Sequence, residues 1–258
     1  MHRLLLLTTV IALASAQDWA QARLQKSPRH QEWVQVKSGD HSIQAFVVYP
    51  ESSRKTPVVL VIHENMGLTD WVRSLSDQLA EAGYIAIAPD LISGPGPKTS
   101  EMTPDAARSA ISKLAPDGVT ADLNAVADYA LKIPAANGKL AVAGFCWGGG
   151  NSFRFATNRP DLKAAFVFYG TGPDTPEAIA RIKAPVYGFY GGNDARVNAT
   201  IAKSEELTKE AHKTYQPVIY EGAGHGFMRA GEDPAGSEPN RKARSDAWIR
   251  WKALLEKL

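Results

Sequence analysis

The most constrained polar residue in the sequence is its single thiol. Cys146 lies in Gly144-Phe145-Cys146-Trp147-Gly148-Gly149-Gly150, at the end of a short strand expected over 139–145. A G-x-C-x-G pattern between a strand and a helix has the form of a nucleophile elbow, with cysteine where serine is commoner. The turn is so tight that the residues two before and two after the nucleophile must be nearly free of side chain. Gly144 and Gly148 hold those places. A nucleophile at a helix start sits at the positive end of the helix dipole, which favours a thiolate. The backbone N–H of Trp147 can then meet a developing oxyanion. The plainer reading of a free cysteine is a small buried hydrophobe, and the glycine frame argues against it. A phosphate-binding loop is excluded, because Asn151-Ser152 rather than a Lys-Ser or Lys-Thr pair follows the glycines.

An elbow nucleophile needs a base, and the base needs an orienting acid, in the chain order nucleophile, acid, histidine. Asp194 follows an apolar run in Gly191-Gly192-Asn193-Asp194, 48 residues after Cys146. His225 follows another in Gly222-Ala223-Gly224-His225-Gly226-Phe227, 31 residues later. Asp194 could equally serve as a turn residue or N-cap; order and position together favour the catalytic role. The other histidines fit less well. His2 lies in a leader, His30 and His41 in polar or turn positions, His212 at a helix end, and His63 at the end of a core strand. His63-Glu64-Asn65-Met66-Gly67 begins like a zinc helix, but the second histidine is missing, so no metal is expected. No cofactor is expected either.

These residues need a scaffold that brings strand ends together. Segments 33–37 and 42–49 alternate apolar and polar residues, like strands with one wet face. Segments 57–63 and 84–88 are continuous apolar runs, like strands buried on both faces, the second stopped by Pro89. Further strands are expected at 139–145, 164–169, 185–191 and 215–220. Helices are expected at 70–82, 104–114, 118–132, 148–158, 199–212 and 241–257. Trp248 and Trp251 give the last helix a packing face. Segments 92–104 and 221–240 read as long loops, the first a candidate lid. Strands alternating with helices imply a mostly parallel central sheet with helices on both faces. In such sheets the chemistry lies beyond the carboxyl ends of the strands, where the polar residues above fall.

Composition narrows the classes further. The 258 residues are 44% hydrophobic and 22% charged with a formal net charge of +2, which offers no electrostatic footprint for nucleic acid. One cysteine excludes an internal disulfide. Residues 1–16 read as a secretory signal: Arg3, an apolar run over 4–14 broken only by Thr8 and Thr9, then Ala14-Ser15-Ala16. This implies an exported protein, periplasmic or secreted, with no membrane attachment after cleavage. Residues 17–32 read as an irregular lead-in and 33–258 as one domain. Oligomeric state is not readable.

Gly144-Phe145-Cys146-Trp147-Gly148-Gly149, Gly192-Asn193-Asp194 and Gly224-His225-Gly226-Phe227 resemble the three catalytic motifs of the dienelactone hydrolase family, the carboxymethylenebutenolidases. The resemblance runs from about residue 33 to 258 and implies an α/β-hydrolase fold with a Cys146-Asp194-His225 triad. It also implies a glutamate, here Glu64, beside the cysteine and able to take its proton. The backbone N–H of Asn65 would be the second oxyanion donor. Family substrates are small lactones carrying a carboxylate, and Arg229 matches an arginine that grips it. Tyr169 and Trp147 are candidate pocket walls, though core packing explains them as well. There is one departure: no arginine follows Pro89-Asp90-Leu91, where the family pattern places one. The implied activity is hydrolysis of small esters or lactones through a thioester. A thioesterase or acyltransferase on the same scaffold, or a non-catalytic small-acid binder, are the alternatives.

Overall fold

Strand β3 (Thr56–Ile62) shows how the core is divided. Val58, Leu60 and Ile62 point to one apolar layer, while Val59 and Val61 point to another. A strand alternates its side chains between two faces, so a fully apolar strand must be covered on both. The computed structural model describes residues 17–258. In chain order its elements are α1 (Asp18–Lys26), β1 (Gln31–Ser38), β2 (His41–Val48), β3, α2 (Asp70–Glu81), β4 (Ile85–Asp90), α3 (Pro104–Ser112), α4 (Pro116–Leu131), β5 (Ala136–Phe145), α5 (Trp147–Ala156), β6 (Ala164–Phe168), α6 (Pro176–Ala180), β7 (Val186–Gly191), α7 (Ala195–Asn198), α8 (Ile201–Glu210), β8 (Tyr215–Tyr220), α9 (Phe227–Ala230) and α10 (Glu238–Leu255).

The eight strands form one sheet in the order β1-β2-β4-β3-β5-β6-β7-β8. The β1–β2 and β2–β4 pairs are antiparallel and the rest parallel. Helices α4, α5 and α8 contribute Leu123, Val126, Phe153 and Leu207 to one apolar layer. Helices α1, α2 and α10 contribute Leu24, Trp71, Leu75 and Trp251 to the other. This is the helix–sheet–helix sandwich of an α/β-hydrolase. Among the described residues no helix is long and apolar enough to cross a membrane.

Parallel pairing sends the carboxyl ends of β3 to β8 to one rim. Register then sets neighbours there: Ile62 pairs with Gly144, Phe145 with Phe168, and Gly191 with Tyr220. Glu64, Cys146, Tyr169, Asp194 and His225 each follow one of these strand ends.

Three expectations need correction. Pro89 does not stop β4. The strand runs on to Asp90, where β2 supplies the pairing after β3 has dropped away. The loop 221–240 contains α9 and the start of α10. Residues 17–32 are not irregular: they hold α1 and the start of β1. Only Ala20 and Leu24 of α1 are buried, a spacing of four that lays one narrow face on the core. Arg29 then clamps the segment to α2, its Nε and Nη2 reaching the fully buried Asp77 carboxylate at 2.9 and 2.7 Å. Ser27 and Gln31 also donate to Asp77. Arg29→Ala should therefore lower unfolding stability by about 3 kcal/mol, the low end for stranding a buried charge, because Ser27 still serves it. Urea denaturation measures this; a loss under about 0.5 kcal/mol, the ordinary surface range, would show that the lead-in is not part of the folded unit. Residues 1–16, where the secretory signal is expected, lie outside the described residues.

Candidate active site

The elbow has the geometry its glycines demand. Cys146 has φ 56° and ψ −116°, in the left-handed region that side-chain-bearing residues rarely adopt. A Cβ on Gly144 would overlap the carbonyl of Gly148, and one on Gly148 would overlap the carbonyls of Ile62 and His63. The Cys146 N–H donates to Phe168 O at 3.0 Å, and its carbonyl accepts from Gly149 and Gly150 as α5 begins. Trp147 is the first residue of α5, so its N–H has no acceptor within the helix.

Around the sulfur the three distant residues meet. His225 Nε2 lies 3.1 Å from Cys146 Sγ, and His225 Nδ1 lies 2.5 Å from Asp194 Oδ2. The Asp194 carboxylate is buried and the imidazole is partly open to solvent. The hydrogen bond to Cys146, then that to Asp194 and the charge on both, outweigh burial and raise the His225 pKa from 6.5 to about 9. The supporting loops are tied together. Gly192 N–H donates to Tyr220 O and Asn193 N–H to Ala223 O, each at 2.8 Å, while Asn240 Oδ1 on α10 accepts from Gly224 N–H. The Tyr169 ring packs edge-on against the imidazole with centroids 5.1 Å apart.

Glu64 reaches the same corner, where two other side chains engage it. Its buried carboxylate accepts from Arg229 Nε at 2.8 Å and from the Tyr169 hydroxyl at 3.4 Å. The hydrogen-bond partner of the sulfur is His225, not Glu64. Arg229 is correspondingly occupied: the Glu64 charge raises its pKa. Burial, with Glu64 adding to it, raises that of the Tyr169 hydroxyl well above its ordinary value. Tyr169 itself has φ 41°. His63 is fully buried beneath, and burial lowers its pKa, so the neutral ring donates from Nδ1 to Glu64 O at 2.7 Å. It stacks on Trp147 at 5.4 Å. Asn65 follows, exposed at the mouth. The loop 92–104 is pinned, since Thr99 donates twice to Asp90 at 2.8 Å and accepts from Leu68 N–H at 3.0 Å.

A cleft of roughly 700 Å³ opens over Cys146. Asn65, Cys146, Trp147 and Tyr169 line it, as do Arg154, Arg181 and Arg196. Arg229, expected to grip substrate, is not among its lining residues. The three lining arginines escaped the sequence reading. Arg154 was detectable, since Trp147, Gly150, Asn151 and Arg154 share one face of α5 at helical spacing. Arg196, two residues past Asp194 on the same rim, was also within reach. Arg181 follows the five-residue α6, which is too short to announce itself. Among the described residues no group of three His, Cys, Asp or Glu side chains is placed to hold a metal ion.

A sequence model of the dienelactone hydrolase family matches residues 43–258, which include every residue of this site. The chain belongs to the dienelactone hydrolase family. Two curated relatives named "Putative carboxymethylenebutenolidase" support the assignment along most of their length. That of Salmonella typhimurium is 32% identical over 83% of this chain and 83% of its own. That of Escherichia coli K12 is 31% identical over 87% and 84%. A crystal structure titled "Putative Dienelactone Hydrolase" from Klebsiella pneumoniae superposes with a TM-score of 0.78 at 28% identity, covering 89% of this chain and 99% of that one. The chain is thus a hydrolase of dienelactone hydrolase type, in a family acting on small esters or lactones.

Proposed function

We propose that this hydrolase cleaves small esters or lactones by transferring the acyl group to Cys146 and then to water. The observation that carries the reading is the unbroken hydrogen-bonded chain Asp194–His225–Cys146, whose cysteine end lines an open cleft. An imidazolium 3.1 Å from the sulfur pairs with a thiolate. The thiolate attacks the substrate carbonyl carbon, and the backbone N–H groups of Trp147 and Asn65 receive the oxyanion. As the C–O bond breaks, His225 passes its Nε2 proton to the leaving oxygen, and a thioester remains on Cys146. Neutral His225 then takes a proton from water. The hydroxide attacks the thioester, the C–S bond breaks, and the acid leaves with imidazolium and thiolate restored. Asp194 holds the imidazole with Nε2 facing the sulfur. Glu64 fixes Arg229 and Tyr169 beside it and takes no proton in this sequence of steps.

Trapping the intermediate tests this. Acid quenching during turnover of p-nitrophenyl acetate, followed by mass spectrometry of peptides, should place an acetyl group on Cys146. An acetyl group on another residue, or turnover with none at Cys146 under burst conditions, would overturn it. On the same footing, the leader-like residues 1–16 carry the proposal that the enzyme is exported.

A further inference from the structure

The cationic wall of the cleft has no part in the steps above. Arg196, on α7 directly after Asp194, has no hydrogen-bond or ion-pair partner among the described residues and lines the same cleft as Cys146. Arg181 donates from Nε to Thr157 O and from Nη1 to Glu177 O. Both acceptors are neutral carbonyls, so they aim the guanidinium without neutralising it, and Nη2 remains available. Arg154 shares its charge with the exposed Asp117 and donates from Nε to Thr120. Asp174 is the one carboxylate among the described residues that line the cleft. By contrast Arg29, Arg73, Arg108, Arg159 and Arg244 all have a carboxylate within 4.0 Å. A concave wall with an excess of uncompensated guanidinium groups focuses positive potential and binds oxyanions through paired N–H donors.

Where this wall stands relative to the sulfur sets the shape of the ligand. Arg154 lies seven residues beyond Trp147 on α5, two helical turns or about 10 Å from the elbow. Arg229, much closer to the reacting atoms, is already held by Glu64. Taking the ester-hydrolase reading as its basis, we propose that Arg181 and Arg196, flanked by Arg154, form an oxyanion-binding subsite. This subsite selects elongated esters whose far end carries a carboxylate, at a reach indicated by Arg154, about 10 Å along α5 from the elbow. A compact lactone acid fills only the inner part of such a cleft, whereas an extended dicarboxylic half-ester spans it.

The test compares kcat/KM for mono-p-nitrophenyl suberate, mono-p-nitrophenyl succinate and neutral p-nitrophenyl octanoate. The wild-type enzyme should favour the suberate over both, and added salt should erode that preference. In Arg181→Gln/Arg196→Gln the ratio of suberate to octanoate should fall by roughly 10- to 100-fold, the loss of charge-assisted hydrogen bonds. An unchanged ratio, or a wild-type preference for succinate, would overturn the proposal. Calorimetric titration of free suberate into the wild-type and double-variant proteins reads the same subsite without turnover. Binding should weaken by roughly tenfold or more in the variant, and equal binding would also overturn it. Should wild-type protein bind suberate through these arginines yet hydrolyse none of the three esters, the hydrolytic reading fails and the subsite stands.

Discussion

Cys146→Ala should lower kcat for p-nitrophenyl acetate by about 10⁴-fold or more, because in the proposed mechanism Cys146 is the nucleophile, and removing it disables the unit that the three residues form together. Little stability should be lost with it. Cys146 is only partly buried, its backbone hydrogen bonds to Phe168, Gly149 and Gly150 do not involve the sulfur, and alanine keeps the Cβ. A melting temperature close to wild type alongside the missing turnover separates loss of chemistry from loss of fold. Cys146→Ser makes a finer distinction. A hydroxyl cannot rest ionised beside an imidazolium as a thiolate can, so serine must be deprotonated during attack and should be much slower than cysteine. Hydrolysis by the alanine variant within tenfold of wild type would end the case for a covalent intermediate at this residue.

Asp194→Asn should lower kcat by roughly 10²- to 10⁴-fold and change the shape of the pH profile. With His225 raised to about 9, the imidazolium that the proposed mechanism uses to protonate the leaving group is present at neutral pH and is lost as pH climbs through about 9. The wild-type kcat/KM should therefore show an alkaline fall near pH 9. Hydrogen bonding to Cys146 is the largest cause of the raised value, and the Asp194 carboxylate adds to it. Removing that carboxylate withdraws support from the charged ring, so the alkaline fall should move to lower pH. NMR titration of the His225 ring in both proteins reads the same shift directly. A limb that stays in place after the substitution would mean that another group governs it.

The central sheet and the three residues that meet at the sulfur are legible because each rests on local pattern. β3 declares itself as a continuous apolar run and β5 as a short strand over 139–145, and the elbow demands glycine at fixed offsets from Cys146. Chain order and strand ends then limit the acid and the base. What stayed hidden depends on contacts that spacing does not encode. Helix α1 buries only Ala20 and Leu24, and so narrow a stripe reads as a loop. Pro89 reads as a strand terminator until β2 is seen to pair beyond it. Glu64 and Arg229 were marked only through family resemblance. Their mutual hydrogen bond joins residues 165 apart, and nothing local to either announces that they occupy each other. The cationic wall was missed because its arginines come from three separate elements and converge only in the folded rim.

The sulfur at the elbow is the only one of its kind in the chain. Peroxide reaching a thiolate there would make a sulfenic acid with no resolving thiol on the same polypeptide to condense with. Repair must come from a soluble reductant small enough to enter the cleft. Without one the oxidation proceeds to the sulfinic state and becomes permanent. The lifetime of the proposed chemistry would then be tied to the reductants that can reach the cleft.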